Sequence, residues 1–452
     1  MPNLRRGHVQ NPRWESGPLA PRCSGDRSRS STRSPRRIPG DTIRRLYGPG
    51  FSGPTRLMLY PMADHLAYVI LTPYTLLKSR TGGILARLMT RTGLELVAAR
   101  MFAPSRDLTE AYADQIVSAR DPQDRRIQEL IRDYVLRNLG PHLVSGARRR
   151  VMVLVFRGDD AVRKIRSVVG NFTSAPSGGE TIRDSYGDLV LDERGEVRYF
   201  EPAVLAAPNP EEAASKLKLW AGFSAADGGL LENAIEYPAG AQPERTLVLI
   251  KPDNFRFPSG RPGNVIDFLS RTGLYIVAIK VHRMSVADAV EFYGPVREIL
   301  RTRLHEMVGR RAGIAVEKEF GFELGPERTA QLGQLLCPTF GDFQFENIVQ
   351  FMSGVRPSKC PPERMTEPGT EKCVALVYEG PDAVRKIRDV LGPTDPLQAP
   401  PGSIRREFGS SVMVNAAHAS DSSQNAGREM AIIKIGQENV FQKVVDDYYG
   451  GS

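Results

Sequence analysis

Of the six histidines in this chain of 452 residues, one stands in company suited to chemistry. His418 lies in NAAHASDS, among small residues that leave an imidazole accessible, with Ser420 and Asp421 just after it and Glu429 eleven positions on. A neutral imidazole nitrogen can act as a nucleophile near neutral pH, and a nearby carboxylate can hold its tautomer and orientation. Taken alone, such a histidine more often marks a surface or satisfied structural position. His8, His65, His142, His282 and His305 carry no supporting pattern. Three cations widen the constellation around His418: Lys251 directly after the apolar run TLVLI, Arg388 closing DAVRKIR, and Arg405 in GSIRREF ahead of the histidine. Any one of them could be no more than a solvated charge at the end of an element. Several separately placed cations around one nucleophile are what phosphoryl transfer asks for, because negative charge spreads over the oxygens of the transferred group.

The elements that must position these residues occur twice. DAVRKIR stands at 160–166 and again at 382–388, and RTGL at 91–94 and again at 271–274, so the second copy carries about 42 extra residues between the two matches. A duplication with insertions accounts for this spacing. Each half opens on a short apolar run, 66–71 and 246–250, which predicts a buried strand. In the second half a helix over Val265, Ile266, Phe268 and Leu269 follows, stopped at Gly273. Then come a strand over 274–281, a helix around Ala287 to Tyr293, a strand over 373–380, the DAVRKIR helix, a Pro/Gly-rich loop over 392–402, and a last strand running into VMVN (412–415). Paired βαβ units on antiparallel sheets give the expected class: α+β, two tandem ferredoxin-like (βαββαβ) domains. The expected organisation is an extension over 1–57, a first domain over 58–235, a linker over 236–244, a second domain over 245–438 and a tail over 439–452.

Composition narrows the partners. Residues 1–57 hold twelve arginines, no lysine and three acids (Glu15, Asp26 and Asp41), which accounts for the whole formal charge of +9. The remainder carries 49 basic and 49 acidic residues, so a broad nucleic-acid-binding face is not expected. The Arg/Ser/Pro-rich extension has no apolar period and is expected to be disordered. A solvated tail, an upstream extension with the working start at Met58 or Met62, and an organelle transit peptide all fit its composition. No run approaches the ~20 apolar residues of a membrane span, and Cys23, Cys337, Cys360 and Cys373 form no C-x-x-C pair, so neither a zinc knuckle nor a redox dithiol is indicated. A soluble, cytoplasmic protein with reduced thiols is the expectation.

At this point the second half resembles the nucleoside diphosphate kinase family. The motifs are TLVLIKPDN, RTGLYIVAIK, FENIVQFMSG, LVYEG, RDVLGPTDP, PGSIRREF and, most specific, NAAHASD, which fits the family signature N-x-x-H-[G/A]-S-D. The resemblance covers roughly residues 244–434. It implies a ping-pong transfer of the γ-phosphate from a nucleoside triphosphate to a nucleoside diphosphate. His418 would be the nucleophile, oriented by Glu429 with support from Ser420. Arg388, Thr394 and Arg405 would hold the phosphates, with Mg²⁺ bridging phosphate oxygens mainly through water and no metal ligand from the protein. Lys251 and Asn415 would bind the sugar 3′-hydroxyl and the phosphate end. Phe345 would stack on the base, Val412 would line its other side, and Tyr293 matches the family's tyrosine near the transferred phosphate. A homo-oligomer is implied, a trimer of two-domain chains imitating the family's hexamer. The chain departs from the compact family pattern by insertions near 297–342 and 355–372, both beside the nucleotide-binding helical hairpin. A non-catalytic nucleotide-binding or scaffold protein of the same fold is the alternative.

The first half keeps little of this set. Arg166 and Arg183 align with Arg388 and Arg405, but Thr72 stands opposite Lys251, Phe172 opposite Thr394, Pro202 opposite Asn415, Leu205 opposite His418 and Lys216 opposite Glu429. Leucine cannot take a phosphoryl group. The first domain is therefore expected to be a degenerate copy, inactive in transfer, serving as a built-in structural partner for the second.

Overall fold

The computed structural model describes residues 64–172 and 178–450. The expected N-terminal extension, with its arginines and Cys23, lies outside the described residues. Ten strands occur among those described: β1 (Asp64–Leu71), β2 (Glu95–Phe102), β3 (Val151–Asp159), β4 (Asp188–Leu191), β5 (Val197–Glu201), β6 (Val204–Ala206), β7 (Glu244–Ile250), β8 (Tyr275–His282), β9 (Cys373–Gly380) and β10 (Ala417–Ala419). They form two four-stranded antiparallel sheets with one order, β2-β3-β1-β6 and β8-β9-β7-β10, and a separate β4-β5 hairpin. The class is thus α+β with two ferredoxin-like sheets.

The sheets correspond residue by residue. Leu71 pairs with Met152 and Val204, and Ile250 with Val374 and Ala417. Both edge ladders are interrupted at one place, between Leu96 and Ala98 and between Ile276 and Ala278. The helices Ala161–Val169 and Ala383–Leu391 carry most of each DAVRKIR copy. Each is entered through an aspartate in the left-handed region, Asp160 (φ 51°) and Asp382 (φ 56°), and ends at a positive-φ glycine, Gly170 and Gly392. Their apolar residues fall at helical spacing, Val162, Ile165 and Val169 in the first and Ala383, Ile387 and Leu391 in the second, so each buries one face on its sheet. The copy near the histidine therefore presents Arg388 from an element whose position packing already determines.

Equivalent helices of the two halves, Thr81–Thr92 and Arg261–Ser270, pack against each other through Gly82 and Gly263. A Cβ on Gly82 would lie 2.5 Å from the Gly263 carbonyl oxygen, and one on Gly263 2.3 Å from the Gly82 carbonyl oxygen, so only glycine permits this approach. One apolar core extends from the first sheet through this helix pair to one face of the second sheet. Another lies on the opposite side of the second sheet and gathers Phe292, Tyr293, Phe345, Val349 and Met352. The helix Val440–Tyr449, in the stretch expected as a tail, reaches back to the first half, where Phe441 meets Phe102 edge-on at 5.5 Å.

Two features depart from the sequence reading. The last strand is not VMVN but Ala417–Ala419, so His418 sits inside the ladder opposite Leu249 instead of following a strand. The insertion near 297–342 is helical: Val286–Arg303 leads into His305–Phe320, and a long helix, Pro326–Ser353, returns. Gly309, Gly313 and Gly333 let the inserted helix and the returning one approach closely.

Candidate active site

Backbone pairing places His418 with its imidazole facing the helix Ser423–Ile432, which carries Glu429. His418 Nε2 lies 2.9 Å from Glu429 Oε2, and the same oxygen accepts the Ser420 hydroxyl at 2.7 Å. A carboxylate only accepts, so the proton of the neutral ring sits on Nε2 and the lone pair is left on Nδ1. Ser420 is fully buried and Glu429 nearly so, which removes competing water from both bonds. Phe292 and Tyr293 stand edge-on to the imidazole, with ring centroids at 5.0 Å and 6.2 Å.

These groups open on a cavity of about 590 Å³ whose lining includes Tyr293, Arg388, Thr394, Arg405, His418 and Glu429. Asp389, Asp421, Asn425 and Arg428 also line it. Arg405 donates from Nη1 to the Gly392 carbonyl at 2.9 Å, and burial, then the neighbouring Arg388, lowers its pKa to about 10. Arg388 has no ion-pair partner within 4.0 Å among the described residues. Burial holds the Tyr293 phenol protonated, well above its ordinary range, and its buried hydroxyl has no hydrogen-bond partner among the described residues. Two adjacent cations, a phenolic donor and an imidazole nitrogen face one space, an arrangement with the chemistry to take an anion beside a nucleophile.

The remaining expected residues lie outside this lining. Lys251 follows β7 and donates from Nζ to Asn415 Oδ1 at 2.7 Å and to the Met413 carbonyl at 2.9 Å. Asn415 in turn donates to the Thr394 carbonyl at 3.0 Å and the Val412 carbonyl at 2.8 Å, so the pair braces the loop that presents Thr394. Burial lowers the Lys251 pKa to about 8. Val412 is well exposed on that loop, at 58%. Phe345 corrects the sequence reading: it is 4% exposed, packed in the core with Val349 and Met352, and covered by the Arg297 guanidinium at 5.5 Å. It offers no free face to a base. Phe292, Asn425 and Arg428 are wall residues that pattern reading passed over; Arg428 was signalled only by its adjacency to Glu429.

The corresponding place in the first half is filled by its own side chains. Leu205 pairs with Ile70 as His418 pairs with Leu249, and it is buried. Arg183 donates to the Gly170 carbonyl at 2.8 Å, matching Arg405 and Gly392, but its guanidinium lies on the Phe172 ring at 4.0 Å. Arg166 is met by the buried carboxylate of Asp121 at 3.9 Å, and Lys216 is bonded to Glu212 at 2.6 Å. Thr72, opposite Lys251, donates to buried Glu201 at 3.1 Å. Each cation an anion would use is already covered or neutralised.

The family model described as nucleoside diphosphate kinase matches residues 363–438, the segment holding Arg388 through Glu429. The chain is similar to the nucleoside diphosphate kinase of Wolinella succinogenes, 33% identical over 196 residues that cover 43% of this chain and 98% of that protein. It is similar to that of Campylobacter hominis at 30% identity over 195 residues, again 43% and 98%. A solved nucleoside diphosphate kinase structure from Aquifex aeolicus is similar over 42% of this chain and 95% of its own, at 28% identity and a TM-score of 0.26.

Proposed function

Because the chain belongs to the nucleoside diphosphate kinase family, we propose that its second half moves the γ-phosphate of a nucleoside triphosphate to a nucleoside diphosphate through a phosphohistidine at His418. The observation that carries this is the Nε2 contact with Glu429, which leaves Nδ1 unprotonated and open to a cavity bearing Arg388 and Arg405. Nδ1 bonds to the γ-phosphorus as the bond from that phosphorus to the bridging oxygen of the β-phosphate breaks, and the diphosphate leaves with that oxygen. Positive charge then develops on the ring, whose Nε2 proton stays against Glu429. A terminal oxygen of the second nucleoside diphosphate takes the phosphoryl group from Nδ1, and the nitrogen recovers its lone pair. Arg388 and Arg405 offset the charge on the equatorial oxygens, and Tyr293 supplies one further donor. Lys251 and Asn415 hold the Thr394 loop in place and, through it, the phosphate end.

The described residues contain no group of three His, Cys, Asp or Glu able to cage a metal ion. Mg²⁺ is proposed to enter on the nucleotide. When bound, the ion neutralises phosphate charge. The first half, with Leu205 in the histidine's register and its arginines covered, is proposed to be inert in transfer and to act as an internal structural partner, joined through the Gly82 and Gly263 helix contact. Among the described residues no helix is long and apolar enough to cross a membrane.

Incubation with γ-labelled ATP and Mg²⁺ tests the reading. An acid-labile, base-stable phosphoprotein that is discharged by GDP is expected. Equal labelling of His418→Ala would refute it, and an unlabelled wild-type protein would leave the nucleotide-binding scaffold as the reading.

A further inference from the structure

The helix that carries Phe292 and Tyr293 to the histidine, Val286–Arg303, contains Pro295. A residue at this place in an unbroken helix donates its N–H to the carbonyl four positions back, that of Glu291; proline has no N–H and its ring crowds that carbonyl. The carbonyls at the interruption are satisfied from another helix. Arg428, on Ser423–Ile432, donates from Nη1 to the Glu291 carbonyl at 3.2 Å and from Nη2 to the Phe292 carbonyl at 3.2 Å. Its neighbour in sequence is Glu429, whose Oε1 lies 3.8 Å from the same Nη2. The other carboxylate oxygen of Glu429 is the one that meets His418.

We infer that Arg428 is a positioning residue for the phosphoryl transfer, capping the Glu291 carbonyl freed by Pro295 together with the neighbouring Phe292 carbonyl, and so tying the Phe292–Tyr293 wall to the carboxylate that orients His418. The inference rests on the phosphohistidine reading above and adds a residue to it. A guanidinium suits the task because its planar fork directs two N–H groups at adjacent carbonyls while its charge faces the carboxylate. Without it, a proline-broken turn, the two aromatic rings and Glu429 lose their common anchor, and the imidazole samples orientations in which Nδ1 does not face the phosphate.

The test compares Arg428→Met and Arg428→Lys, each alone and together with Pro295→Ala, by rapid-quench formation of phosphoenzyme from labelled ATP, with thermal midpoints measured alongside. Arg428→Met is expected to slow phosphoenzyme formation at saturating ATP about tenfold, the usual scale for losing a partner that orients a reacting group. Its ATP concentration dependence should shift no more than about twofold, since the residue acts on orientation and not on ground-state binding. Arg428→Lys keeps the charge without the fork and is expected to recover part of the rate. In the Pro295→Ala background the Glu291 carbonyl regains its own helical donor, so the Arg428→Met loss should shrink to about threefold, a coupling that a general stability effect would not produce. Wild-type rates in Arg428→Met, or an equal loss in both backgrounds, would overturn the inference while leaving the transferase reading intact. A wild-type protein that takes no label would overturn the transferase reading and this one with it.

Discussion

Replacing Lys251 with methionine exposes what the site costs the fold. The ammonium is almost wholly buried, bonded to Asn415 and Met413, and burial lowers its pKa from an ordinary 10.5 to about 8. Across that window the unfolded chain binds the proton and the folded one does not, so stability is present in full above 10.5 and is lost as pH falls through 8. At ~1.4 kcal/mol per pH unit the full penalty is ~3 kcal/mol, of which about 2 kcal/mol is recovered between pH 7.5 and pH 10. Methionine keeps the length of the stem and titrates nothing. Against the relieved penalty stands the loss of two charge-assisted bonds, at ~1.5–3 kcal/mol each, so the net stability change at neutral pH should be small. Urea unfolding of both proteins at pH 7.5 and pH 10 gives the difference directly, since all other titrations cancel. Wild type should gain about 2 kcal/mol on Lys251→Met over that range, while phosphoryl transfer by the variant falls sharply at every pH because the Asn415 brace on the Thr394 loop is gone. A difference independent of pH would show that the lysine is not held against its charge, and the reasoning would fail.

Other expectations follow from the same contacts. Ser420→Ala removes a fully buried donor to Glu429 and should slow phosphoenzyme formation by ~10–100-fold with little change in nucleotide affinity; an unaltered rate in single-turnover labelling would contradict it. His282, buried in β8 opposite Cys373, has its pKa lowered to about 4 by burial and then by Lys280, so the stability it confers is present above its ordinary 6.5 and is lost as pH falls through 4. His282→Phe, which places the residue found at Phe102 in the same register, should remove roughly 2–3 kcal/mol of the stability difference between pH 7.5 and pH 4.5, read by denaturant titration at both. Phe345→Ala should cost about 3–5 kcal/mol of stability, as for a fully packed aromatic, with the KM for nucleotide moved less than about threefold; a large KM effect in a stable variant would restore a base-stacking role. Leu205→His, made in His418→Ala, should acquire no label, because the new ring would enter a packed core and Lys216 stands where the second half has Glu429.

Much of the site was legible in the chain because it depends on short-range order. The residues from Arg388 to Glu429 are close in sequence, and strand, helix and loop lengths alone bring Arg405, His418 and Glu429 to one end of the sheet. The inertness proposed for the first half was likewise legible at Leu205 and Lys216, and the pairing of Leu205 with Ile70 places it in the histidine's register. The burial of Phe345 was not legible because it depends on which face of a 28-residue helix meets the core. The displaced last strand has a similar origin, since where a ladder begins depends on the partner strand β7 and not on local β-propensity.

The amino-acid sequence by itself determined the class of fold and the doubled elements, because these reside in residue type, period and spacing, and its family resemblance singled out the candidate site residues. Tertiary structure alone decided what each of those residues can do. It set the Glu429 oxygen against Nε2, covered Arg166 with Asp121 while leaving Arg388 without an ion-pair partner among the described residues, and brought Arg428 to the carbonyl that Pro295 had opened more than a hundred residues earlier. Hydrogen bonds and ion pairs act over about 3–4 Å, and only the folded chain determines which groups come that close.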